Sequence, residues 1–198
     1  MHEFVVSALR RFPSELAALY ATIPSAYAAW APPSWEGIPS EKFTAIEQIC
    51  HVRDIEIDGY QLRLRRLLEE DNPLLVSIDS ERVARERGYP DAPVEQIFET
   101  FREAPERTAR TIAGLTDSQW QRRGVFEGYG PVTVTGLVHY LCSHDQQHLA
   151  GLHWLLGKMA SEAKAAKLSS VIPAQAGIQA PPLCKDALDS RLRGKDGF

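Results

Sequence analysis

No stretch of the 198-residue sequence holds about 18 consecutive apolar residues, the minimum for a bilayer-spanning helix, so no membrane segment is expected. The N-terminus, MHEFVVSALRRFPSEL, lacks the basic start and apolar core of a secretory signal, and a cytoplasmic location is expected. Cysteine is scarce. Cys50, Cys142 and Cys184 are odd in number and fit neither a disulfide framework nor a zinc ribbon, so they read as reduced thiols. Basic blocks are missing too: 22 basic residues stand against 26 acidic ones, for a net charge of -4. Nucleic acid is therefore not an expected partner, and small molecules or other proteins are.

What the chain does have is length enough for one domain with a continuous core, so a bound metal would be functional rather than a folding staple. Apolar residues recur at helical spacing from Phe4 to about Tyr27, with a restart signalled by Pro13, Ser14 and Glu15. The proline-rich stretch from Ala31 to Pro39 is a loop, with Trp35 packed back on the rest. Ser40 then stands to cap a helix from Glu41 to Glu70, whose weak point is Gly59. Leu74 to Pro93 has little periodicity beyond a short helix over Ser80 to Arg87. A third long helix is expected from Val94 to Leu115, kinked at Pro105, and a capping box follows from Thr116 to Gln119. Val125 to Val134 is too irregular for a helix and suits a short hairpin, after which Thr135 caps a fourth helix from Gly136 to Lys167.

Four long helices and two long connections make an all-α fold, a four-helix bundle with long crossover connections. The bundle is expected to occupy residues 1–167. Residues 168–198, rich in proline and glycine and without a sustained period, read as a disordered low-complexity tail. The tail resembles the peptide encoded where a reading frame enters a dispersed bacterial genomic repeat, and no function is assigned to it.

Chemistry concentrates in the fourth helix, in His144-Asp145-Gln146-Gln147-His148. Four residues at 100° each put the two imidazoles within about 40° of each other, one turn apart, so both rings reach a single ion. Leu137, Tyr140, Leu141, Gly151 and Leu155 lie within about 60° of His144, which turns the pair toward the core, where unpartnered imidazoles are costly. A third ligand must come from another helix, and of the six histidines His51 is the one in the middle of one. Glu47, Asp54 and Asp58 share its face to within about 60°. They are either a solvated charged face or a set from which one carboxylate accepts the ring N–H opposite a metal. His139 and His153 point elsewhere, and His2 lies at the chain start. Cys50 and Cys142 face away from the histidines and read as small packed side chains.

The run Phe43-Thr44-Ala45-Ile46-Glu47-Gln48-Ile49-Cys50-His51-Val52-Arg53-Asp54-Ile55-Glu56, followed by Thr135 to Tyr140 and by His144 to His148, resembles the DinB-like family over roughly residues 5–160. That family is a four-helix bundle with one histidine on its second helix and an HxxxH pair on its last. The resemblance implies a metal triad on His51, His144 and His148, a divalent ion that is Zn2+ or Ni2+, and a homodimer.

Three imidazoles leave a position on the ion for water or substrate, which is the arrangement of a catalytic site. An HExxH protease would carry Glu where Asp145 stands, and a di-iron bundle would need paired glutamates and ExxH motifs that are missing. Members of the resembled family include S-transferases that use low-molecular-weight thiols and a thiol-dependent isomerase. The expectation is therefore a metal-dependent S-transferase or hydrolase that activates a small thiol or water for an electrophilic small molecule. The alternative is a non-catalytic, metal-dependent ligand-binding or stress-response module. Asp145 is the candidate catalytic side chain. The loops Leu74 to Pro93 and Val125 to Val134 are candidate pocket walls, with Tyr129 and Trp35 as contacts.

Overall fold

The computed structural model describes residues 2–171, with side-chain surroundings to residue 162; the expected tail lies outside these residues apart from 168–171, which continue the last helix. Helix α1 (His2–Tyr20) runs unbroken through Pro13, because Phe12 and Leu16 on either side are fully buried and Ser14 Oγ donates to the Arg11 carbonyl at 2.7 Å. It ends before Ile23 and Pro24, short of the expected Tyr27, where only a 3-10 turn forms over Ser25–Tyr27.

Helix α2 (Ala45–Asp54) starts later than its sequence suggests, because Thr44 and not Ser40 is the cap. The Glu47 carboxylate accepts from both the backbone N–H (2.8 Å) and the hydroxyl (2.7 Å) of Thr44, as in a capping box. A π-helical segment, Ile55–Tyr60, follows and leads without a break into α3 (Gln61–Glu69). Gly59, the expected weak point, sits inside it. After a two-residue strand β1 (Leu74–Leu75) come α4 (Ser80–Glu86), with Asp79 accepting from the Arg82 N–H at 2.9 Å, and a 3-10 turn over Tyr89–Asp91. Helix α5 (Val94–Ala113) carries the expected apolar stripe inward through Ile97, Phe101, Ala104, Thr108 and Ile112.

The capping box at Thr116 opens α6 (Asp117–Trp120), and the hairpin forms from β2 (Arg123–Phe126) and β3 (Gly130–Thr133) in antiparallel register. Strand β1 pairs parallel to β2, which completes a three-stranded sheet. Thr133, two residues before the predicted Thr135, caps the long helix α7 (Val134–Val171) by accepting from the Gly136 N–H at 3.1 Å. Among the described residues no helix is long and apolar enough to cross a membrane.

Helix α1 and the α2–α3 rod both pack on α5 and on α7, so α1 lies diagonal to the rod and α5 diagonal to α7, and the connections from α1 to the rod and from α5 to α7 must cross the bundle. The core divides into two apolar clusters, one around Leu9, Leu67, Ile112 and Leu137 and the other around Leu16, Ile49, Phe101 and Leu155. All four members of the bundle change from one cluster to the other at the same level, and the polar residues of the core collect there.

At Gly124 a Cβ would lie 2.7 Å from Leu67 Cδ2 and 2.8 Å from the Pro73 carbonyl, so the sheet seats on α3 only because that position has no side chain. Gly124→Ala is expected to lower unfolding free energy by roughly 1–3 kcal/mol in urea titrations, as overpacking does. Gly114→Ala, where a Cβ meets nothing closer than 3.7 Å, should stay within about 0.5 kcal/mol of the parent.

Candidate metal centre

The polar layer is built around two helices. α2 supplies Gln48 and His51, α7 supplies His144, Asp145 and His148, and the loop before α2 brings in Glu41. His144 Nε2 lies 3.1 Å from His51 Nε2 and 3.1 Å from His148 Nε2. Glu41 closes the set, with Oε1 at 3.6 Å from His51 Nε2 and Oε2 at 3.3 Å from His148 Nε2. These four side chains could hold a metal ion, since one ligand atom from each lies within 4.8 Å of the others. Nitrogens bound at 2.0–2.1 Å to a tetrahedral ion are about 3.3 Å apart, so the spacing fits such a group.

The ring orientations follow from neighbours. Gln48 is fully buried, and its amide nitrogen donates to Ser40 Oγ (2.9 Å) and the Phe43 carbonyl (3.2 Å). Its Oε1 is thereby turned to accept the Nδ1–H of His148, which leaves Nε2 of that ring as a lone pair facing the cluster. Gly151 makes this closeness possible, because a Cβ there would come within 2.4 Å of Ser40 Oγ. His144 Nδ1 is buried without a hydrogen-bond partner, and Asp145 Oδ1 stands 3.8 Å from it.

Burial holds all three imidazoles neutral, the state a metal ligand requires. It lowers His144 and His148 to about 4, and, with the charges of the other two rings, His51 to about 2. Burial raises the Glu41 pKa, but the hydrogen bond with His148 and the charge of His51 outweigh it and leave the carboxylate near 2, ionised at neutral pH. Behind the cluster the order reverses. Burial and the nearby Asp145 charge push Glu56 up to about 7, and burial pushes Asp145 well above its ordinary value. Glu56 accepts from Thr108 Oγ1, and both acids are buried.

A family model for the DinB superfamily matches residues 8–152. The chain belongs to the DinB superfamily. Among solved structures it is similar to YfiT from Bacillus subtilis, with a TM-score of 0.71 and 18% identity over 80% of this chain and 87% of that one. That protein is described as a "probable metal-dependent hydrolase with an unusual four-helix bundle topology". No curated protein matches the chain.

In this DinB bundle His51, His144 and His148 come together, while His139 and His153 are exposed and His2 stacks on Trp120 at 3.9 Å. Glu47, Asp54 and Asp58 are engaged elsewhere: Glu47 caps α2, Asp54 takes Arg53 (2.6 Å), Tyr89 (2.7 Å) and Arg87 (2.8 Å), and Asp58 takes Arg87 (2.8 Å). The acceptor opposite the cluster is a neutral amide instead, Gln48. Asp145 lies behind the His144 ring, away from the converging nitrogens. Trp35 stacks on Trp154 (6.1 Å) as a packing residue, and Tyr129 is exposed over Phe126. The thiols of Cys50 and Cys142 are pushed up to about 12 by burial, which removes them as nucleophiles.

Glu41 and Glu56 are the residues that sequence reasoning missed. Glu41 sits in a non-periodic loop and carries no spacing signal, whereas Glu56 follows the buried Ile49 and Val52 at i+7 and i+4, a spacing that places it on the inward face.

The imidazole shifts set an acid limb of stability in the metal-free protein. Between pH 6.5 and about 4 the unfolded chain binds protons that the folded His144 and His148 refuse, so stability is lost as pH falls through that window. Glu56, raised to about 7, acts in the opposite sense above pH 4.5. In chelator-treated protein, His148→Gln should lose less stability than the parent between pH 6.5 and 4, by on the order of 1–3 kcal/mol. Equal losses in urea titrations would remove this histidine from the account.

Proposed function

We propose that this chain is a metal-dependent enzyme in which His51, His144 and His148 hold one divalent ion, Zn2+ or Ni2+. The reaction is attack by a small thiol or by water on an electrophilic small molecule. The observation that carries the reading is the convergence of three buried Nε2 atoms, two of the pairs at 3.1 Å, on a spot that Glu41 reaches from the half-exposed side. A divalent ion held there supplies Lewis acidity, which lowers the pKa of a thiol or water. The water version is supported by the similarity to YfiT, a probable metal-dependent hydrolase. The thiol version is supported by the resemblance to S-transferases of the family.

The chain's own residues divide the remaining work. Gln48 fixes the tautomer and rotation of His148, and Ser40 fixes Gln48. Asp145 flanks Nδ1 of His144 and acts as a positioning residue. Glu41 provides the negative charge that three neutral imidazoles do not, and its side chain, 40% exposed and on a loop, can yield its place to an incoming ligand. A non-catalytic binding module is the second reading, and the same Glu41 favours it if the carboxylate never leaves.

Elemental analysis should find about one divalent ion per chain in the parent and none in His144→Ala. Gln48→Leu, which removes the acceptor for His148, should weaken metal binding by about 10–100-fold in competition with a chelator. With metal loaded, a panel of cellular thiols and model electrophiles should give an adduct that His144→Ala does not form. Hydrolysis without thiol transfer would select water as the nucleophile, and neither product would leave the binding module.

A further inference from the structure

Arg63 is a buried cation that the metal centre does not use. It is 5% exposed on α3, and among the described residues no carboxylate pairs with it. Arg53 on the same rod shows the usual arrangement, with Asp54 at 2.6 Å. The Nε and Nη2 atoms of Arg63 both donate to the Val76 carbonyl, at 3.2 and 2.9 Å. Nη1 has no acceptor among the described residues and lies over Gly59, where a Cβ would come within 2.9 Å of it. The guanidinium carbon is 4.6 Å from the Phe126 ring centre and 5.4 Å from that of Tyr60, and the Tyr60 ring in turn is 6.0 Å from His144. Outside this shelf, Tyr129 stacks on Phe126 at 4.6 Å and meets Tyr140 at 4.9 Å, with Tyr129 59% and Tyr140 36% exposed.

A desolvated guanidinium without a counter-ion is costly, and aromatic faces offset only part of the cost. An anion that brings its own charge completes the arrangement, and a carboxylate matches the planar donor edge. We propose that Arg63 takes the carboxylate of the small molecule whose reacting atom reaches the three-histidine centre, with Tyr129 and Tyr140 lying along its carbon skeleton. The proposal rests on the reading above for the position of the reacting atom, and Arg63 is a specificity-determining residue in it.

The test compares 3-mercaptopropionate with its methyl ester on the cobalt-loaded protein, read by the thiolate charge-transfer band. The parent should bind the acid at least about tenfold more tightly than the ester. Arg63→Gln should bring the ratio near one, and Arg63→Lys, which keeps the charge without the fork, should retain part of it; circular dichroism checks that each variant folds. Equal binding of acid and ester by the parent overturns the proposal, as does an undiminished preference in Arg63→Gln. If neither probe gives the band, the thiol reading fails by itself, and Arg63 is then tested in metal-free protein by NMR. There 3-phenylpropionate must shift the Arg63 side-chain resonances and its methyl ester must not; the absence of a shift overturns the proposal.

Discussion

Three imidazoles packed at the centre of a helical bundle, with their ring nitrogens turned toward one another, impose the constraint that the rest of the chain satisfies. Polar groups at that depth are costly unless each finds a partner. The core answers by splitting: Leu9, Leu67, Ile112 and Leu137 pack on one side of the layer, Leu16, Ile49, Phe101 and Leu155 on the other, and the ionisable groups share the level between them. Within that level the charges are sorted. The imidazoles are neutral, Glu41 is ionised toward the open side, Asp145 is disposed to keep its proton on the closed side, and Glu56 beside it titrates near neutrality. A divalent cation would therefore meet its negative group at the exposed edge.

The supports of this layer are less conspicuous than its histidines. Gln48 has no charge and no titration, yet it touches both the loop before α2 and a ring on α7 and orients each. Gly151 contributes by having nothing: the space a Cβ would fill is occupied by Ser40. Neither would draw notice in an inventory of reactive side chains, and both decide where the reactive ones point.

Much of this was legible in the sequence because helical periodicity is a repeated signal. The four long helices, the hairpin near Gly128 and Gly130, the capping box at Thr116 and the inward face of His144 and His148 all follow from spacing. The expectation that His51 binds a metal came from a family pattern rather than from its neighbours, whose carboxylates serve a capping box and arginines. What stayed hidden has no period. Glu41 arrives from a loop, β1 is two residues long and pairs with a strand some fifty positions away, and the start of α2 was obscured because Ser40 and Thr44 are equally good caps on paper. Tyr140, assigned to the buried face by the wheel, is exposed because it lies where α7 passes under the hairpin tip.

The π segment at Ile55–Tyr60 has a consequence for how the pocket can vary. Along an uninterrupted α-helix, Arg63 would lie about 120° round the axis from His51; a segment that absorbs one extra residue brings the two to within about 20°. The rod thus carries a phase adjuster between its His51-bearing half and its Arg63-bearing half. Gain or loss of a single residue there would rotate everything downstream by about 100° and leave the histidines where they are. The proposed ion ligand His51 and the proposed carboxylate partner Arg63 are in this way placed on opposite sides of one register shift, so a lineage could move one without disturbing the other.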